Sequence, residues 1–174
     1  MVNDKRVEKS TVQVARNGDL VYIQVIGRGS FQNASHVKHF SEEVLKNGAK
    51  EIVIDLKECT YLDSTFLGTL AGIGIKLRAA TAEASTLQLL NATARNTELI
   101  QNLGLDRLFR FETSAPVPAP ETTEKLDGTA AGKVETGETM LEAHETLMQW
   151  DARNVAKFKD VVAYLKEDLG QTVD

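Results

Sequence analysis

The 174 residues hold only three prolines, one cysteine and three histidines, and no long apolar run. A single cysteine, Cys59, has no internal disulfide partner and cannot build a cysteine-based zinc site. It fits a reducing cytoplasm. No stretch of about 18 apolar residues is present, so no membrane span is expected. Met1–Arg16 is polar and charged with no apolar centre, so no secretory signal is expected either. The prolines, Pro116, Pro118 and Pro120, all fall within five positions. Proline cannot donate to a helix or strand ladder, so this spacing predicts an extended linker and a break near residue 116.

The charge divides at the same place. Residues 1–111 carry 14 Lys+Arg against 12 Asp+Glu, whereas residues 112–174 carry 6 against 13. The net charge of −5 therefore resides in the C-terminal part, and it disfavours a nucleic-acid partner.

Thr11–Ala15 alternates polar and apolar residues, as a half-buried strand does. Asn17-Gly18 is a hairpin signal, and Leu20–Ile26 reads as the return strand. A loop at Gly27, Gly29 and Ser30 leads to an amphipathic helix over Asn33–Lys46, stopped by Asn47-Gly48. Glu51–Leu56 reads as a buried strand, and Cys59, Thr60, Tyr61 and Leu62 as a loop. Asp63, Ser64 and Thr65 suit a helix N-cap, because short oxygen-bearing side chains accept from the free N–H groups of the first turn. That helix is expected to reach about Ala80. A strand over Thr86–Leu90, a helix over Thr93–Asn102 ended by Gly104, and an edge strand over Leu108–Phe111 follow. The order β-β-α-β-α-β-α-β predicts an α/β domain with a mixed, mainly parallel sheet covered by helices.

Enzymatic motifs are missing. Ser64 lacks a GxSxG elbow, and neither a Walker A loop nor a dinucleotide fingerprint is present. His36 and His39 share a helix face without further metal ligands and read as surface histidines; no metal or cofactor is expected. Asp55 ends a strand, but no second acidic cluster accompanies it. Gly68-xxx-Gly72 reads as close packing of a helix on the sheet.

Three separated motifs carry a family resemblance. The first runs from Ile52-Val-Ile-Asp-Leu56 into Leu62-Asp63-Ser64-Thr65-Phe66-Leu67-Gly68. The second is Leu87-Gln-Leu-Leu-Asn91. The third is Asn102-Leu-Gly-Leu-Asp-Arg-Leu-Phe109. Together they resemble the STAS family of sulphate-transporter and anti-sigma-factor-antagonist domains, over residues 10–111. The resemblance implies a non-enzymatic, protein-binding domain used in bacterial partner switching and transcription regulation. It also implies phosphorylation at Ser64 by an anti-sigma-factor-like serine kinase, with a PP2C-type phosphatase reversing it. Thr65 is the weaker acceptor, and Asp63 supports the geometry. The partner face it implies contains Ser30, Phe31, Phe66, Thr69 and Lys76. Phe66 departs from the pattern, since many members have glycine there, and Arg28 stands where many relatives are acidic. The alternative is an unphosphorylated scaffold or oligomerisation module assembled through the C-terminal helix.

Residues 112–138 read as an acidic linker and 139–170 as a helical tail. Thr139 and Glu142 suit a capping box. Met140, Leu147, Phe158, Val162, Leu165 and Leu169 form an apolar stripe, with Met148, Val155 and Val161 beside it. Asp151–Asn154 divides the tail into two helices, or else a single helix of about 45 Å results. The stripe needs burial, by folding back on the domain, by pairing with a second copy, or on another protein.

Overall fold

The Asn17-Gly18 hairpin sets the register of the sheet. In the computed structural model, strand β1 (Thr11–Asn17) pairs antiparallel with β2 (Leu20–Gly29) from Asn17 opposite Leu20 to Thr11 opposite Ile26. Gly18 takes a positive φ of 61°, a conformation that costs glycine little. The structure describes residues 10–115, 118, 122–126 and 131–171. Pro116 and Pro120, two of the three linker prolines, lie outside the described residues.

Helix α1 (Ala34–Lys46) follows, then β3 (Glu51–Asp55), β4 (Cys59–Leu62) and α2 (Ser64–Ala80). Strand β5 (Gln88–Leu90), helix α3 (Ala94–Asn102), a 3-10 turn (Leu105–Arg107) and β6 (Arg110–Glu112) complete the expected alternation. β2, β3, β5 and β6 pair in parallel, and a last short strand, β7 (Glu124–Lys125), adds to β1, giving the sheet order β6-β5-β3-β2-β1-β7. One sheet face carries Val12, Val14, Ile23, Ile52, Ile54 and Leu89, packed under α1, α2 and α3. The other face carries a smaller cluster around Tyr22, Val53 and Leu90. There Tyr22 donates to Asp55 at 2.5 Å, and Asn91 and the Lys57 amide also donate to that carboxylate. Burial first, and then the Asp55 carboxylate, push the Tyr22 phenol above its usual range.

Three expectations change. The Cys59–Leu62 segment is a strand, not a loop: β4 pairs in parallel with the end of β2 across a register shift at Gly27/Arg28. Within the expected linker, β7 (Glu124–Lys125) pairs with β1, and helix α4 already begins at Lys133. Thr139 and Glu142 therefore lie inside α4 (Lys133–Trp150) and form no capping box; the N-cap is Gly132. Asp151 ends α4, and α5 (Arg153–Asp168) turns back along it, so the tail is two helices. Leu141, Val162 and Leu165 are buried between them.

The pair folds back on the domain as a third layer, with α4 lying along α2. A Cβ added to Gly68 would sit 2.3 Å from the Ala143 carbonyl oxygen, whereas one added to Gly72 would meet nothing within 4 Å. Gly68 therefore serves a helix–helix approach, not the helix–sheet contact expected from its spacing. Among the described residues, no helix is long and apolar enough to cross a membrane.

Candidate functional site

Ser64 is the first residue of α2. The preceding Asp63 is the N-cap: its Oδ1 accepts from the Phe66 amide at 2.8 Å. Its Oδ2 accepts from the Phe31 amide at 2.9 Å. One carboxylate thus caps α2 and ties the β2–α1 loop to it. Substituting such a cap costs about 1 kcal/mol.

The Ser64 hydroxyl is engaged from the tail. Ser64 Oγ lies 2.9 Å from His144 Nε2, and His144 Nδ1 lies 2.6 Å from the Met140 carbonyl oxygen. A carbonyl only accepts, so Nδ1 carries the hydrogen; in the neutral ring, Nε2 then accepts from the serine O–H. The ring is 4% exposed and meets the Phe158 ring edge-on at 5.0 Å between centroids. This contact spans 80 positions of sequence, and no local motif announces it. The available signal was the spacing of Thr139, Ala143 and Leu147, one helix face carrying small and apolar residues that proves to be buried.

The other predicted residues are placed unevenly. Phe31 is 44% exposed at the loop beside Asp63. Lys76 is exposed on α2 and donates to Glu42 at 2.6 Å. Ser30 and Thr69 are buried: Ser30 Oγ accepts from the Gln32 amide, and Thr69 Oγ1 donates to the Thr65 carbonyl. Thr65 is 3% exposed. Phe66 is fully buried and belongs to the core, not to the surface beside Ser64. Its ring occupies the space over Gly29, where an added Cβ would come within 2.9 Å of Phe66 Cδ1.

A second anchor holds the tail at the 3-10 corner. Trp150 Nε1 donates to the Gly104 carbonyl at 2.7 Å, and Asn154 Nδ2 donates to the Leu103 carbonyl at 3.0 Å. Asp151 accepts from Arg153 and from Arg107. Arg153 above all, then Arg107, hold its carboxyl well below the usual carboxylate range. Acidic residues of α4 also meet basic ones of α1, through Glu142 with Lys38 and Glu135 with His39. These exposed pairs orient the helix more than they stabilise it.

Beside Ser64 opens a cleft of about 420 Å³ between the start of α2, α3 and α5. Asp63, Ser64, Arg95, Lys157 and Phe158 are on its wall.

A mixed sheet with this strand order, a capped serine opening its second helix and a Gly-Leu-x-x-Leu-Phe corner is consistent with one family. The family model described as "Mlab, STAS domain" matches residues 12–110. The chain belongs to the STAS family. Its STAS domain is also similar in fold to solved anti-sigma factor antagonists. SpoIIAA in its unphosphorylated form shares 20% identity at a TM-score of 0.52, covering 59% of this chain and 88% of that one. TM1081 of Thermotoga maritima, described as a candidate anti-sigma factor antagonist, shares 19% identity at a TM-score of 0.51, covering 57% and 85%. No match was found among curated proteins. The helices α4 and α5 lie beyond the matched STAS residues.

Proposed function

We propose that this STAS protein is a non-enzymatic, phosphorylation-switched binding protein of the anti-sigma factor antagonist kind, acting in bacterial partner switching in the cytoplasm. Ser64 is the phosphoacceptor. The observation carrying this reading is its position: Ser64 opens α2 and lies on the wall of an open cleft, while Thr65 beside it is buried. The cleft opens beside the first residue, whereas the second is 3% exposed. The positive end of α2 tolerates a phosphate, which adds about −1.5 to −2 charge at neutral pH. The partners are a serine kinase resembling anti-sigma factors and a PP2C-type phosphatase. Such a partner meets Phe31, Lys76 and the edge of the cleft, because Phe66, Thr69 and Ser30 are not available at the surface. Domain boundaries follow the same reading, with the switch domain over 10–111 and the helical pair as its appendage.

The test is intact-mass analysis after incubation with a HATPase-type serine kinase encoded beside this chain. The wild type is expected to gain one phosphate, about 80 Da, and Ser64→Ala none. Absence of the modified species, or its persistence in Ser64→Ala, contradicts the reading.

A second reading, a scaffold assembled through the tail, is favoured by the exposed Val155, Val161 and Tyr164 of α5. Light scattering of the full chain distinguishes it, since a scaffold of this kind is at least a dimer.

A further inference from the structure

We propose that the cleft between the start of α2, α3 and α5 is a phosphoryl-receiving site. A phosphate on Ser64 is held there by Arg95 and Lys157, which ties α5 to the switch and locks the helical pair over α2. The inference rests on the reading of Ser64 as phosphoacceptor for the origin of the phosphate, and it goes beyond that reading in assigning the tail a role.

The direction in which a phosphate can go decides the matter. His144, hydrogen-bonded to Ser64, is 4% exposed and packs edge-on against Phe158, which is itself on the cleft wall. The open space bordering Ser64 is therefore the cleft of about 420 Å³. A phosphoryl group needs only a few water volumes of about 30 Å³ each.

The charges on the cleft wall are matched to that group. Arg95 and Lys157 both line it. Arg95 lies over the Tyr61 ring at 5.8 Å from its centroid, and Lys157 donates to the Asn102 carbonyl at 2.7 Å. Neither is paired with a carboxylate among the described residues. Asp63 is the acidic group on the wall, and both its oxygens already accept backbone N–H groups of Phe66 and Phe31. A planar guanidinium and a flexible ammonium are the two side chains best suited to phosphate oxygens, and charge-assisted bonds of this type are the strong ones.

The consequence is mechanical. Arg95 belongs to α3 of the STAS domain, whereas Lys157 belongs to the appended α5. A phosphate bound to both joins the two parts at the switch. The unmodified chain holds its tail through the Ser64–His144 bond, the Gly68–Ala143 approach and the Gly104 corner. The modified chain replaces the first of these by a stronger cross-link. The phosphorylated form is then the closed one, with the α2 face covered. The unmodified form is the one whose tail can yield that face to a partner.

The experiment uses full-length protein with phosphoserine installed at position 64 by an expanded genetic code, so no kinase is needed. A missing kinase would sink the functional reading and leave this result standing. Hydrogen exchange of the α5 amides, Arg153–Asp168, is compared between phospho and unmodified chains. Exchange is expected to slow about tenfold on phosphorylation. The slowing should vanish in both Arg95→Ala and Lys157→Ala, each judged against its own unmodified form so that any loss of fold cancels. Unchanged or faster α5 exchange in the phosphoprotein overturns the proposal, as does slowing that survives both substitutions. So does equal protection of the unmodified chain by millimolar inorganic phosphate, which would make the cleft a site for free anions.

Discussion

Replacing Gly68 by alanine is expected to drive the C-terminal helical pair off its seat while leaving the sheet domain folded. In α2 itself the change is favourable, because alanine exceeds glycine by about 1 kcal/mol as a helix former. The obstacle lies across the interface, where the new Cβ would stand 2.3 Å from the Ala143 carbonyl oxygen and 2.7 Å from its carbon. Those are backbone atoms, so no side-chain rotation relieves the overlap. Overpacking of this kind costs about 1–3 kcal/mol even where side chains can adjust. Helix α4 must move outward by roughly an ångström to reach ordinary contact, and the Ser64–His144 bond at 2.9 Å does not survive such a shift.

Trp150, the sole tryptophan, sits at the far end of α4 and donates to Gly104, so its emission reports the event. A red shift is expected for Gly68→Ala with far-UV dichroism nearly intact. Gly72→Ala is the control: nothing lies within 4 Å of its added Cβ, and it should be stabilising by up to about 1 kcal/mol. If the two variants behave alike, α4 is not held in the way described.

The second large effect is expected at Phe66. Its side chain is fully buried in the main core, over Gly29 and next to Leu62. Phe66→Ala removes a ring from a space that the strand β2 backbone and helix α2 cannot close, and should cost about 3–5 kcal/mol in urea unfolding. A loss below about 1 kcal/mol would mean that the ring faces solvent and belongs to the partner surface after all.

Phe66 also marks the limit of what local sequence carries. Its place in the Asp-Ser-Thr-Phe-Leu-Gly motif was legible, but not the direction of its ring, because helix periodicity near an N-terminus has too few turns to define a face. The Asn17-Gly18 hairpin, the Glu51–Asp55 strand and the α2 cap were legible because each is a local signal: turn chemistry, an apolar run, a capping oxygen. Strand β4 was not, since four residues carry little pattern and their pairing with β2 is displaced by a bulge. The start of α4 carries equally little local signal. Thr139 and Glu142 have capping-box spacing, but the helix begins six residues earlier at a glycine N-cap without a side-chain bond.

At the site, Asp63 and Ser64 could be read directly. Their long-range surroundings could not: His144 is 80 positions from Ser64, and Arg95 and Lys157 line one cleft only because α5 folds back. The Gly68-xxx-Gly72 spacing signals close approach, but the neighbour at Gly68 is α4 and not the sheet.

The tail also alters the physical picture of the switch. A phosphate at Ser64 of a bare STAS domain would act on a partner by local charge and crowding. Here part of that face is already occupied by α4, so under the proposed function modification and partner exchange would be coupled through the tail. The most direct test of the switch is affinity capture from native extract on two full-length baits, unmodified and phosphoserine-64, quantified by mass spectrometry. The account predicts a HATPase-type serine kinase enriched on the unmodified bait, about tenfold or more, equivalent to 1.4 kcal/mol or above. Equal recovery on both baits, or recovery on the phosphorylated bait alone, would contradict it.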